Sequence, residues 1–257
     1  MPAKALIYYH RSYRKITGSG WVFVTALSGI SLLFSVLILL YSPLITEKMS
    51  LVSQTALSPF YSVGTITVIE KPFLWSTVSQ VSLPGTSPSR SFAFINLVVS
   101  LVLIMFLLRV KKRKNIAIYF MFLAAINLVS SVFFLFSPQA FPYTSTEFSE
   151  LYIKAQLSMW LFIPFILGMA FLPLPAPMSH KLLLMIFTFV YSAIFGTLRY
   201  IIFLYIISRF SVLYMALLFF AFGPLIDFVY IVGIYSFYSS RLAKNLKSSA
   251  SVWKWSY

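Results

Sequence analysis

Residues 21–41 read WVFVTALSGISLLFSVLILLY and contain no charged side chain. A helix needs about 20 apolar residues to cross the ~30 Å hydrocarbon core of a bilayer, so this stretch predicts a membrane span. Further stretches of the same character follow at residues 92–110, 116–136, 157–174, 182–208 and 212–240. The sequence therefore predicts an all-α, polytopic integral membrane protein with about six transmembrane helices.

The composition supports a protein that faces lipid. Of the 257 residues, 60% are hydrophobic and 10% are charged, whereas soluble domains have about 25% charged residues. Cysteine is absent and there are two histidines, His10 and His180, each beside basic residues. Disulfides and thiol chemistry are excluded, and we expect no metal site, no cofactor and no histidine general base.

The positive charges alternate with the apolar spans, which predicts an orientation. With the N-terminus inside, the cytoplasmic segments carry fourteen Lys and Arg residues and no acidic residue. The external segments carry five positive residues: Lys48, Lys71, Arg90, Lys154 and Arg209. We therefore predict a basic cytoplasmic N-terminus (1–20), a membrane domain (21–240) and a basic cytoplasmic tail (241–257). The net charge of +15 then suits anionic lipid, and we expect no nucleic acid partner.

The two longest external segments differ in what they predict. Residues 65–69 and 78–83 of the external loop 42–91 have strand-like composition, with Pro72 between them; a hairpin and an irregular loop are the alternatives.

In the second of these segments, Thr144 and Glu147 have the spacing of a capping box. A helix should therefore begin near Ser145 and continue into the fourth span, and three of its polar or aromatic residues should reach the outer membrane surface. These are Gln156, Ser158 and Trp160.

Small and polar residues form stripes in the first three spans. The stripes are Ser28, Ser31 and Ser35; Asn96 and Ser100; and Ala124, Asn127 and Ser131. Such stripes are typical of helix-packing faces, and a transport pathway is the alternative interpretation.

Arg199 lies inside the fifth span, where an arginine costs at least ~2.5–3.5 kcal/mol. Ser192, Gly196 and Arg199 share one helical face. We interpret them as a recessed cationic pocket that opens outward and holds an anionic group. Snorkelling to the outer headgroups is the alternative, but the predicted depth of ~14 Å is far for an arginine.

Asp227 is the acidic residue of the sixth span. Counted from a turn near Arg209, it lies ~27 Å deep, so its depth differs from that of Arg199 by more than an arginine can reach. A direct pair would need a displaced turn or a break at Gly223 and Pro224. We therefore expect a neutral, hydrogen-bonded structural carboxylic acid, with a protonatable relay residue as the alternative.

Several catalytic motifs are missing from the sequence. It contains no phosphate-binding glycine loop, no HExxH, no paired acidic metal motif and no Gly-x-Ser-x-Gly. These patterns carry phosphate, zinc and serine-hydrolase chemistry. An enzyme is therefore not expected, and one acting on a lipid-linked substrate lacks a visible set of catalytic residues.

Residues 156–238 resemble the exosortase/archaeosortase family of membrane transpeptidases, which use a cysteine, an arginine and usually a histidine. The arginine matches in FGTLR, which ends at Arg199. The position of the family cysteine falls in QLSMW, residues 156–160, and that of the histidine in FFAFG, residues 219–223; neither residue is present. The resemblance implies a catalytically degenerate relative in a bacterial or archaeal plasma membrane. Ser158 as a replacement nucleophile would need a base.

Two functions remain open from the sequence. The first is a non-catalytic membrane component that binds a partner protein, peptide tail or lipid at an outward-facing pocket around Arg199. Its binding residues would be Arg199, Ser158, Gln156, Trp160, Ser192 and Gly196, and its partners membrane lipids and another membrane or envelope protein. The second is a transporter or channel subunit in which Arg199 and Asp227 line the pathway.

Overall fold

The protein is an all-α, polytopic membrane protein, as predicted. The computed structural model describes residues 14–16, 21–110, 114–172, 174, 176–246 and 253–255. The α-helices are α1 (Trp21–Leu40), α2 (Ser42–Leu57), α3 (Arg90–Leu108), α4 (Lys114–Phe136), α5 (Ser145–Phe171), α6 (Met178–Arg209), α7 (Met215–Phe222) and α8 (Pro224–Leu246). The strands are β1 (Arg14–Ile16), β2 (Thr67–Phe73), β3 (Ser76–Ser82) and β4 (Trp253–Trp255), and short 3₁₀ helices cover Ser58–Phe60, Pro138–Ala140 and Val212–Tyr214.

The number of membrane crossings follows from the helices and from the pairing of the chain ends. In the described part of the chain, five helical segments are long and apolar enough to cross, and α1 with the following α2 raises the number to six. Strand β1 pairs antiparallel with β4, with Lys15 opposite Lys254. The segments before the first span and after the last therefore lie on the same side, which requires an even number of crossings and supports six.

The cytoplasmic location of both ends stays a prediction. Much of the basic charge behind it lies in residues 1–13, 111–113 and 247–252, outside the described residues. Most of the predicted N-terminal cytoplasmic segment and nearly half of the C-terminal one also lie outside the described residues.

The chain divides into two compact units. The first contains residues 1–39, 160–192 and 228–257, and the second contains residues 40–159 and 193–227. Helices α5, α6 and α8 contribute residues to both.

Close contact between α1 and α5 characterises the first unit. The Ser35 hydroxyl donates to the Leu161 carbonyl over 2.8 Å, and a Cβ added to Gly168 would come within 2.4 Å of the Ser31 hydroxyl. Both serines are buried, which confirms this part of the stripe as a packing face, whereas Ser28, its third member, is exposed. At the end of α5, buried Lys181 donates from Nζ to the Phe171 carbonyl over 2.7 Å, where a helix terminus favours a cation.

In the second unit, α2 replaces much of the predicted external loop. Its buried face is mainly hydroxyl: Ser42, Thr46, Met49, Ser50, Ser53 and Leu57. Leu44, Leu51 and Val52 are exposed instead. The helix was missed because its buried face is polar, whereas amphipathic helices are recognised by a buried apolar stripe.

The hairpin alternative for this segment is confirmed. Strands β2 and β3 pair antiparallel from Thr67 opposite Ser82 to Phe73 opposite Ser76. Pro72 lies within β2 and not between the strands. The outer edge of β3 is covered, because the Ser79 N–H donates to the Thr46 hydroxyl and the Val81 N–H donates to the Tyr200 hydroxyl.

Helices α3 and α4 are joined by a network of amides and hydroxyls. The Asn96 and Asn127 side chains bond each other reciprocally, each amide nitrogen lying 3.1 Å from the other's oxygen. Asn96 also donates to the Ser131 hydroxyl and Asn127 to the Ser100 hydroxyl, both over 2.9 Å. The two polar stripes predicted here are confirmed as packing faces. Polar pairs of this kind hold helices together where lipid gives apolar contacts no advantage.

We expect Asn127→Ala to lower the free energy of unfolding by about 1 kcal/mol, because it removes the reciprocal amide bonds. The measurement is unfolding by sodium dodecyl sulfate in mixed micelles. Val129→Ala is the matched control, because this side chain on the same helix is 66% exposed. An equal effect of both substitutions would show that the amide network adds nothing.

Candidate functional site

The candidate site is built around Arg199 on α6, whose side chain is buried. Its Nε donates to the Tyr152 hydroxyl over 2.8 Å, and its Nη1 donates to the Gly223 carbonyl over 2.9 Å. Its Nη2 donates to Gln156 Oε1 over 2.5 Å and to both carboxylate oxygens of Asp227, over 2.9 and 2.8 Å. We call these five residues the Arg199 cluster. The anionic group that the guanidinium holds is the protein's own carboxylate.

The side chains of the cluster that surround the two charges are buried. The exposed fraction is 5% for Arg199, 1% for Asp227, and 2% for both Tyr152 and Gln156. Two buried charges of opposite sign at this distance compensate each other, and the remaining donors are satisfied by neutral oxygens. The arrangement can fix the positions of α5, α6 and the junction of α7 with α8.

The direct pair corrects the prediction that Arg199 and Asp227 lie too far apart in depth. That estimate counted every residue after Arg209 as descending into the membrane. In the structure α7 begins only at Met215, after a turn that contains Val212–Tyr214. From Met215 to Asp227 the descent is about 18 Å, and from Arg209 to Arg199 it is about 15 Å. The two residues therefore lie at nearly the same depth, and Asp227 pairs with a charge.

The predicted break at Gly223 and Pro224 is present. Helix α7 ends at Phe222, and α8 begins at Pro224. Pro224 suits a first helical position, because its missing N–H needs no partner there. At the break, the Gly223 carbonyl accepts both the Ile226 N–H over 3.1 Å and Nη1 of Arg199 over 2.9 Å. A Cβ on residue 223 would lie 2.2 Å from the Phe219 carbonyl oxygen, so this backbone requires glycine.

Gly196 allows α5 to approach α6 beside the cluster. A Cβ on residue 196 would lie 3.0 Å from Cδ of Gln156. The Gly196 carbonyl accepts the Tyr152 hydroxyl over 2.9 Å, so Tyr152 accepts from Arg199 and donates to Gly196. The close approach of α5 to α6 therefore depends on a glycine at position 196.

Aromatic rings connect the cluster to the hairpin. The guanidinium carbon of Arg199 lies 5.5 Å from the centre of the Tyr152 ring, a cation–π distance. Tyr152 stacks on Tyr200, with ring centres 5.2 Å apart. The Tyr200 hydroxyl shares a hydrogen bond with Ser149 and accepts the Val81 N–H of β3.

The other predicted binding residues are placed differently. Ser158 donates to the Lys154 carbonyl of its own helix over 2.8 Å. In the first unit, Nε1 of Trp160 donates to the Ser192 hydroxyl over 2.9 Å. Gln156 and Trp160 are 2% and 1% exposed, and their predicted depth at the outer membrane surface stays a prediction. Their side chains point to neighbouring helices.

Two members of the cluster were missed by sequence reasoning. Tyr152 recurs with Phe148, Leu151 and Ala155 at the spacing of an apolar helix face. Its hydroxyl nevertheless needs a partner when buried, and its spacing of four residues from Gln156 puts both on one face. The Gly223 carbonyl carries no side-chain pattern. Its only sequence cue is the glycine–proline pair, which interrupts the helix at this carbonyl.

A groove runs beside the cluster in the second unit. It has a volume of about 380 Å³ and an entirely apolar surface, to which Arg199 contributes its aliphatic stem. Its walls are Phe195, Leu198, Arg199, Ile202, Phe203, Ile206, Leu218, Phe222 and Ile226. Leu198 and Ile202 are 55% and 49% exposed, so the groove opens at the surface.

No protein-family model, curated protein or solved structure matches the chain. Among the described residues, no group of three His, Asp or Glu side chains is arranged to hold a metal ion. The resemblance to exosortases stays a prediction, with Arg199 as the one matching residue.

We expect Asp227→Asn to lower the free energy of unfolding by about 3–5 kcal/mol, because it leaves a buried guanidinium without its counter-charge. Arg199→Met combined with Asp227→Leu should cost less than either single change, since neither charge then remains. The measurement is unfolding in mixed micelles. Glu150→Gln is the control, because its pair with Lys154 is partly exposed and should contribute less than ~1 kcal/mol. Equal losses from Asp227→Asn and Glu150→Gln would contradict a buried pair.

Gly223→Ala should destabilise the protein by about 2–4 kcal/mol, because the added methyl group displaces the last turn of α7 and the acceptor of Arg199. The matched control is Gly233→Ala in α8, where a Cβ meets no atom within 4 Å. This control should be neutral or stabilising, since alanine favours helix. Thermal unfolding in detergent measures both; a Gly223→Ala protein as stable as the control would contradict the close approach.

Proposed function

We propose that this protein is a non-catalytic integral membrane component that binds a membrane-spanning helix of a partner protein in the groove beside Arg199. The single observation that carries the proposal is the apolar groove itself, whose walls are set by a buried, internally neutralised arginine. We place the protein in a bacterial or archaeal plasma membrane with both ends cytoplasmic, and a degenerate exosortase-like protein would be one such component.

The spacing of the groove residues favours a helical partner. Along α6 the wall positions 195, 198, 202 and 206 follow the three- and four-residue steps of a helix-packing seam. Along α7 and the start of α8 the positions 218, 222 and 226 do the same. A helix that lies in a groove presents its anchors at matching steps.

The chemistry of the walls separates the possible occupants. An extended peptide tail brings backbone N–H and C=O groups that an apolar groove at membrane depth cannot satisfy. A helix pairs its backbone N–H and C=O groups internally, so none of them is left without a partner when the helix lies in the groove. An anionic ligand is also disfavoured, because the Arg199 charge is already bound to Asp227.

The Arg199 cluster gives the groove its fixed shape. Arg199 extends from the α6 wall and bonds Gly223 and Asp227 beside the opposite wall. The two walls are therefore held together before any partner arrives, which lowers the cost of binding.

The test uses a groove-filling substitution in the full-length chain, purified in mild detergent from its native membrane. We expect a stoichiometric partner to co-purify, and Ile202→Trp to lower its yield at least tenfold, a loss of about 1.4 kcal/mol. Val102→Trp is the matched control, because Val102 is 54% exposed on α3 and lies outside the groove.

A photo-crosslinking amino acid at position 198 identifies the occupant. Adducts on a membrane-spanning segment of the co-purified partner support the proposal, provided that the same amino acid at position 102 does not form them. Adducts on lipid alone would overturn it. Solute flux in proteoliposomes that Arg199→Met abolishes would favour the transporter instead.

A further inference from the structure

Two adjoining cavities of the second unit lie apart from the Arg199 groove. The first, which we call the mixed pocket, has a volume of about 560 Å³. The second, the apolar cleft, has a volume of about 180 Å³. Phe141 and Tyr143 line both, so one aromatic wall separates a polar space from an apolar one.

The lining of the mixed pocket combines hydroxyls with apolar surface. Its hydroxyl residues are Thr65, Ser82, Ser87, Thr144, Ser145 and Thr146. Its apolar part includes Phe134, Phe141, Tyr143 and Val212. No Asp, Glu, Lys, Arg or His side chain lines it, so a ligand that fits gains hydrogen bonds and apolar contact but no ion pair.

An anionic head group is disfavoured further by Glu147. This carboxylate accepts from the Thr144 N–H and hydroxyl, over 2.6 and 2.9 Å, at the start of α5. A negative charge at a helix N-terminus already offsets the positive end of the dipole there. A second negative charge in the adjacent pocket would be repelled.

The wall of the mixed pocket is held in place by its own hydrogen bonds. The Thr86 N–H donates to the Ile207 carbonyl, and the Val212 N–H donates to the Thr86 carbonyl, over 3.2 and 2.9 Å. The Ser145 hydroxyl donates to the Leu83 carbonyl. At Gly85 a Cβ would lie 2.8 Å from Val212, so the loop is packed tightly against its neighbours and the pocket is preformed.

The apolar cleft continues from the shared aromatic wall along two membrane helices. It is lined by Phe148 and Leu151 of α5 and by Met215, Ala216, Phe219 and Phe220 of α7. Leu151 and Phe220 are exposed, so a hydrocarbon chain can enter from the lipid. Aromatic residues between a polar and an apolar region are typical of the membrane interface.

We propose that the two cavities together bind an uncharged glycolipid, with its sugar head group in the mixed pocket and an acyl chain in the apolar cleft. Hydroxyl side chains suit the sugar hydroxyls, the aromatic wall suits an apolar ring face, and the cleft suits the chain. This site is independent of the partner helix proposed for the Arg199 groove.

The test is native mass spectrometry of the purified full-length protein with three lipids that carry the same acyl chains: monoglucosyl diacylglycerol, diacylglycerol and phosphatidylglycerol. We expect the glucolipid to bind at least tenfold more tightly than diacylglycerol. Phosphatidylglycerol can also bind the basic segments, so its binding should not change when the mixed pocket is filled. Equal binding of the glucolipid and diacylglycerol would overturn the proposal.

Two filling substitutions separate the head group from the chain. Ser87→Trp should remove the preference for the glucolipid over diacylglycerol, because it occupies the mixed pocket. Ala216→Trp should weaken both lipids at least tenfold, because it occupies the cleft. Val102→Trp is the control and should change neither. Each variant is first shown to unfold at the temperature of the unaltered protein; glucolipid binding that survives both substitutions would contradict the site.

Discussion

The salt bridge between Arg199 and Asp227 is the interaction on which the second unit depends. An isolated charge in a bilayer is expensive, but two opposite charges held 2.8 Å apart and surrounded by hydrogen bonds largely cancel that cost. The same guanidinium reaches three other acceptors on α5 and at the break before α8. A single side chain thereby sets the spacing of helices that apolar contacts alone would leave free to slide.

The sequence predicted what depends on long apolar runs and on local hydrogen bonding. The spans, the capping box of Thr144 and Glu147, and the polar faces of α3 and α4 all follow from spacing along one element. Helix α2 was not predicted, because its buried face consists mainly of hydroxyl residues that pack against a hairpin. The pairing of Arg199 with Asp227 was not predicted either, because it depends on the number of residues in the turn between α6 and α7. Tertiary geometry decides such distances, and no local pattern records them.

In this unit the ion pair of Arg199 and Asp227 is buried, whereas the surfaces of the cavities are uncharged. The groove beside Arg199 has an apolar surface, and the mixed pocket is lined by hydroxyls and rings without a charged side chain. Tyr152 and Tyr200 carry the connection from the buried arginine to strand β3. The hairpin and the buried ion pair therefore belong to one packed arrangement. A substitution in the Arg199 cluster would alter the contacts of strand β3.

The short sheet of β1 and β4 has a consequence for biosynthesis. Its first strand is synthesised before α1, and its second only after α8. The two strands can therefore pair only once the helices between them have been made. Their pairing reports that this whole series of helices has been synthesised, and a chain that stops within it would lack the sheet.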